Sequence, residues 1–262
     1  MNPETFRFCR YEIDAQVVTI TIDRPEVLNS VHPEGHLELS HAFDCFAADP
    51  NLRVAILTGS GERSFCVGTD LKWLAATGLA NKPKTGFGGI THRFDLWKPV
   101  IAAVNGLCLG GGMEMVTACD LAIAADHAKF GLPESRVGLA ASGGGMLQRL
   151  PRQIAMKHAM ALVLTGSSIS AGEARSMGVI NEVVPYAQLM TRARALADEI
   201  LACAPLSVTG SKQMMLQSLA HADLESSMHE NYPIVQQMLA SNDAIEGPKA
   251  FAEKRKPVWT GT

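Results

Sequence analysis

The chain has 262 residues, of which 47% are hydrophobic and 19% charged, and a formal net charge of −3. That length and composition permit a sizeable buried core, either as one large domain or as a core with an appendage. The slight acidic excess argues against a general nucleic-acid or anionic-membrane surface, which needs a basic field, so an anionic ligand must find local cations.

The first residues, MNPETFRFCRYEIDA, lack the basic start and apolar stretch of a secretion signal. No later segment has the roughly eighteen uncharged apolar residues of a membrane span. A cytoplasmic protein is the expectation. Residues 16–23 (QVVTITID) alternate as a strand, 33–47 have helical spacing, and 53–59 (RVAILTG) form a continuous apolar strand. Residues 100–105 (VIAAVN) make another buried strand, and a glycine turn and a helix over about 112–119 follow it. The chain returns extended over 121–125 (LAIAA). From about residue 151 the texture turns helical. Ser170 and Glu173 form a capping box and Gly178 is a helix stop, after which 179–184 run extended. Helices are expected over 187–203, 206–220 and 224–240, with a short last one over 244–254. The fold class is α/β, with a C-terminal helical segment.

Residues 78–91 (GLANKPKTGFGGIT) carry four glycines and a proline with little apolar periodicity, so burial is not expected to order them. Two readings stay open, a lid or pocket wall and an ordinary surface connector. Six cysteines, Cys9, Cys45, Cys66, Cys108, Cys119 and Cys203, form no CxxC pair and no cluster with histidine at zinc spacing. They read as reduced, mostly buried thiols, with no metal site. The eight histidines sit at no diagnostic spacing, and His127 and His158 read as surface or packing residues.

The chemistry points to two carboxylates. Glu114 is the only charge between Lys98 and Asp120, and it follows the triple glycine Gly110-Gly111-Gly112. Glu134 follows Pro133 in KFGLPESRVGL. Twenty residues apart, they cannot share a helix face and must meet by tertiary folding. A carboxylate among Met113, Met115, Val116 and Ala118 is expected to be desolvated, the condition that suits a carboxyl group to proton transfer. The competing structural reading is that Glu114 complements a helix dipole and Glu134 merely opens a helical turn. Two strand-to-turn junctions, Ser64 to Asp70 and Leu109 to Gly112, could each aim a backbone N–H at one carbonyl oxygen, which is the plan of an oxyanion hole. A phosphate loop is excluded because no lysine followed by Ser or Thr comes after the triple glycine. No dinucleotide fingerprint and no GxSxG nucleophile turn occur either.

Taken together, FCVGTDLKWL and KPVIAAVNGLCLGGGMEMVTACDLAIAADHAKFGLPESRVGL resemble the enoyl-CoA hydratase/isomerase, or crotonase, superfamily. The similarity runs from DRPEVLNS through LTGSSISAGEARSMGVINEVV to DAIEGPKAFAEKRKPVW. It implies a spiral of ββα units over residues 1–200, a helical trimerisation segment over 201–262, and trimers often paired into hexamers. It also implies an acyl-CoA thioester substrate, with no cofactor beyond the coenzyme A that the substrate carries. No metal, nucleic acid or membrane partner is implied.

By the same resemblance, Val67 and Gly111 supply the two thioester-binding amides, and Glu114 and Glu134 are the acid/base pair. Arg24, Val27, Leu28, Cys66, Gly68, Asp70, Leu71, Lys72 and Ser142 fall at substrate or coenzyme A positions. Phe251 and Lys254 match a pair that in some members reaches the coenzyme A of a neighbouring subunit. Retention of both glutamates favours hydration of a trans-2-enoyl-CoA. The alternatives are Δ3,Δ2-isomerisation or another acyl-CoA lyase chemistry, and the LPRQ and C-terminal stretches are similar to carnitine-related crotonobetainyl-CoA hydratases. A more remote alternative is a non-catalytic binding protein. The sequence departs from the family pattern at Ala141-Ser142-Gly143-Gly144-Gly145, where a proline-glycine turn is usual and one extra residue stands.

Overall fold

An antiparallel strand pair, the second member rich in β-branched residues, stands near the start of the chain. The computed structural model describes residues 3–78 and 82–262. Cys9–Asp14 (β1) and Val17–Ile22 (β2) pair antiparallel across a tight turn in which Ala15 takes a positive φ of 53°. Pro33–Ala48 (α1) starts on a proline, whose missing N–H costs nothing at that position. Val54–Gly59 (β3) is buried at every residue and lies parallel to β2, as a strand covered on both faces should. Ser64–Cys66 (β4) leads into Leu71–Thr77 (α2), which is capped by the Asp70 side chain accepting the Trp73 N–H at 3.1 Å.

The pattern then repeats. Val100–Val104 (β5) and Leu107–Leu109 (β6) lead to Gly111–Ala118 (α3), and Leu121–Ala125 (β7) and Lys129–Gly131 (β8) lead to a 3-10 turn, Pro133–Val137. Met146–Gln153 (α4), Met156–Thr165 (α5), Ser168–Ser170 (β9), Ala171–Met177 (α6) and Glu182–Val184 (β10) complete the coil before Leu189–Leu201 (α7). One sheet has the order β1-β2-β3-β5-β7-β10 and the other β4-β6-β8-β9. Three successive strand pairs each place one member in the first sheet and the next in the second, which is the expected spiral of ββα turns. Phe43, Phe46, Ile56, Leu57, Phe65 and Ile101 are fully buried, and burying such a side chain stabilises by about 1.5–3 kcal/mol.

The described chain clusters into two compact units, residues 1–94 with 100–197 and residues 95–99 with 198–262. The second is helical, with Pro205–Ser218 (α8), Leu224–His229 (α9), Pro233–Leu239 (α10) and Asn242–Ala252 (α11). Gln213 Oε1 accepts the Ile234 N–H at 2.9 Å, and the Asp243 carboxylate takes the amides of Thr260 and Gly261.

Two expectations need correction. The single helix over 224–240 is two, because Pro233 supplies no N–H to the preceding turn and opens α10 instead. The glycine-rich stretch 78–91 is not an unburied loop throughout. Residues 79–81 lie outside the described residues, but Phe87, Gly88, Gly89, Ile90 and Thr91 are buried. Among the described residues no helix is long and apolar enough to cross a membrane.

Candidate active site

Three neighbouring parallel strands of the smaller sheet, β4, β6 and β8, all run the same way. Their carboxyl ends therefore open at one edge, and the segments leaving them are Val67-Gly68, Gly110-Gly111 and Pro133-Glu134. Convergence of chain at the carboxyl ends of parallel strands is the common way α/β proteins build a site. Parallel pairing thus brings together residues that lie far apart in sequence.

Glycine is required at two of these junctions. A Cβ on Gly68 would stand 3.1 Å from the Gly111 nitrogen, and Gly68 has φ +92°. A Cβ on Gly110 would stand 2.9 Å from Glu134 Oε1, with φ +53°. Only a residue without a side chain lets the two turns and the carboxylate approach so closely. The Val67 and Gly111 N–H groups donate to no acceptor among the described residues, as amides kept for an incoming oxygen would.

Glu114 is 3% exposed, on the first turn of α3 among buried Met113, Met115 and Val116. Its Oε1 accepts the Gly144 N–H at 2.8 Å, and a Cβ on Gly144 would lie 2.5 Å from Oε2. The atypical 141–145 loop thus supplies an amide that grips a carboxylate, and the glycine is what lets it do so. Glu134 differs. Its Oε2 is buried with no hydrogen-bond partner among the described residues. Burial raises its pKa, the nearby Glu114 charge adds to this, and a backbone hydrogen bond opposes it. One carboxylate is held by the Gly144 amide, while the other is half-buried, with its Oε2 left without a partner, and inclined to keep its proton.

The remaining predicted positions lie on other segments of the chain. Arg24 donates through Nη1 to the Asp70 carboxylate at 3.1 Å and to the Ser30 carbonyl at 2.7 Å. Burial opposes ionisation of Asp70, but the Trp73 N–H and Arg24 outweigh it and hold the carboxyl below its usual range. Val27 and Leu28 lie beside Arg24 at a one-turn 3-10 helix, where Leu28 adopts a left-handed conformation. Leu71 and Lys72 are exposed on the first turn of α2. Cys66 is fully buried, its thiol pushed up to about 12 by burial, and its Sγ accepts the Gly68 N–H at 3.3 Å. It is a packing thiol that fixes the turn. Ser142 is exposed, with its N–H on the Ala140 carbonyl at 2.7 Å. Phe251 and Lys254 belong to the second unit and are exposed, Phe251 at 87%.

One contributor escaped the sequence analysis. His36 on α1 is fully buried, and its Nδ1 accepts the Gly88 N–H at 3.0 Å. Its ring packs edge-on against Phe87 at 4.5 Å, and Phe87 covers the spot a Cβ on Gly111 would need. Burial, then the charges of Lys82 and His32, push its pKa down to about 3, so the imidazole is neutral. The signal was available, since stepping back from buried Phe46, Phe43 and Leu39 at spacings of three and four lands on His36.

The spiral of ββα turns is the crotonase fold, and comparison with known proteins agrees. The enoyl-CoA hydratase/isomerase family model matches residues 12–262. A carnitinyl-CoA dehydratase of Escherichia coli is 43% identical over 257 residues, covering 95% of this chain and 96% of that protein. The carnitinyl-CoA dehydratase of Proteus mirabilis is 43% identical over 256 residues, covering 94% and 95%. Among solved structures, an enoyl-CoA hydratase from Mycobacterium marinum superposes with TM-score 0.91 at 41% identity, covering 97% of this chain and 99% of that one. One from Mycobacterium tuberculosis gives 0.91 at 39% identity over 97% and 99%. The chain belongs to the enoyl-CoA hydratase/isomerase family, and it is an enzyme of the crotonase type.

Proposed function

We propose that the protein adds water syn across the double bond of a trans-2-enoyl-CoA, and catalyses the reverse dehydration. The observation that carries this is the asymmetric carboxylate pair beside two unengaged amides. The thioester oxygen accepts hydrogen bonds from Val67 and Gly111, which stabilise the enolate-like charge that appears only in the transition state. Glu114, held by the Gly144 N–H, takes a proton from water as its oxygen bonds to the β-carbon. Glu134, whose raised pKa favours the neutral form, delivers its proton to the α-carbon. Proton exchange with solvent then restores the starting charges. Arg24, Asp70 and Lys72 line the way for the coenzyme A, and no further cofactor takes part.

Glu114→Gln and Glu134→Gln should each lower kcat for crotonyl-CoA by about two to four orders of magnitude, read as slower loss of enoyl absorbance. A double variant working at the wild-type rate would refute the assignment. A 3-enoyl substrate run in parallel tests the isomerase alternative. The two carnitinyl-CoA dehydratases support a second reading, dehydration of a carnitinyl thioester. We also propose a homotrimer or homohexamer in the cytoplasm.

A further inference from the structure

The rim of the site carries a cation that neither the hydration chemistry nor the thioester grip uses. Lys82 Nζ stands 5.5 Å from the centre of the Phe87 ring, the ring that packs on Gly111. The same Nζ occupies the space a side chain on Gly143 would take, one residue from the amide that holds Glu114. With His32, it is also one of two charges that act on the buried His36. These neighbours place the exposed Lys82 side chain beside both Phe87 and the 141–145 loop.

Lys82 forms no ion pair with an acidic group among the described residues. The Glu114 charge is already opposed by Arg149, which donates to the carbonyls of Gly144 and Thr91 and feels Glu114 electrostatically. An ammonium with no acidic partner at the rim of the site is complementary to an anion. It is the reverse of what a quaternary ammonium group requires, because such a group has no N–H to donate and is bound by the faces of aromatic rings. Phe87, the ring that packs on Gly111, already has the chain's own cation over it.

Resting on the hydratase reading above, we propose that Lys82 is a specificity-determining residue and that the preferred substrate is an enoyl-CoA whose short acyl chain ends in a carboxylate. The ammonium pairs with that distal carboxylate, and an acyl chain ending in trimethylammonium is disfavoured. Hydration itself is unchanged in balance, with hydroxide bonding to the β-carbon and a proton to the α-carbon. This reading separates the chain from the carnitinyl-CoA dehydratases it resembles.

The test compares glutaconyl-CoA, crotonyl-CoA and crotonobetainyl-CoA with the full-length protein and with Lys82→Gln and Lys82→Glu. A hydrogen bond to a charged group typically changes relative affinity by about ten- to a hundredfold. The wild type should therefore favour glutaconyl-CoA over crotonyl-CoA by about tenfold or more in kcat/KM, mainly through KM, with crotonobetainyl-CoA last. Lys82→Gln should erase that preference, and Lys82→Glu should move it toward crotonobetainyl-CoA. A wild type that prefers crotonobetainyl-CoA, or ratios that ignore both substitutions, would overturn the proposal. Calorimetric binding of glutaryl-CoA and butyryl-CoA gives an answer that does not depend on turnover. If no enoyl thioester is hydrated, the hydratase reading falls. Tighter binding of glutaryl-CoA that is lost in Lys82→Gln would still support the role of Lys82, and equal binding would refute it.

Discussion

At the scale of single residues, the two glutamates differ in their surroundings. Glu114 has an amide donor on Oε1, whereas Glu134 keeps a buried Oε2 without one. The raised pKa of Glu134 means the folded chain holds its proton to higher pH than the unfolded chain. Between those two values the folded state binds more protons, so stability falls as pH rises through that window. Glu134→Gln should therefore have a higher Tm than the wild type at pH 7 to 8. The gap should close as the pH drops through the ordinary carboxylate range, a trend that thermal melts across pH can check. Both glutamates could be picked out in the sequence because charges beside glycine and proline turns in apolar stretches stand out. Helical spacing marks His36 as buried, but what it and Lys82 do depends in part on contact with Gly88 and Gly143, dozens of positions away.

Among the elements, the site depends on strand ends and on a buttress behind them. The 3-10 turn at Phe87–Gly89 is tied to α1 through His36 and lies against α3 through Phe87. His36→Leu keeps the apolar bulk but leaves the buried Gly88 N–H without its acceptor, which should cost about 1–3 kcal/mol in denaturant unfolding. An unfolding midpoint equal to the wild type would show that the tie is not needed. The capping box was legible residue by residue, and Ser170 Oγ and the Glu173 carboxylate do exchange bonds with each other's backbone N–H groups. Strand positions were legible too, since apolar runs such as VAILTG have little choice in a doubly covered sheet. The order in the stretch 82–91 was not legible. Its burial comes from Phe87 docking on α3 and from the close approach of Gly89 to the backbone of α1, and neither contact leaves a periodic trace. The break at Pro233 was visible as a residue but was outweighed by helical spacing on both sides.

For the whole molecule, the second unit presents Phe251, Met228, Leu224 and Ile245 to the outside, each more than 70% exposed. So much apolar surface on one helical segment favours self-association over a lone chain. Light scattering on the purified protein should return a mass of three or six chains, and a single-chain mass at micromolar concentration would count against that assembly. Spiral topology could be named from motif order, whereas the pairing of β10 with β7 rests on three residues too short to read in advance. The progression β2, β3, β5, β7, β10 across the larger sheet also bears on biosynthesis. Every parallel neighbour is added in the order in which the ribosome delivers it, so the coil can wind from its amino-terminal end while translation continues. Glu134 arrives only with the third winding, and a nascent chain arrested before it would already hold Val67, Gly111 and Glu114 yet lack the second carboxylate of the proposed pair.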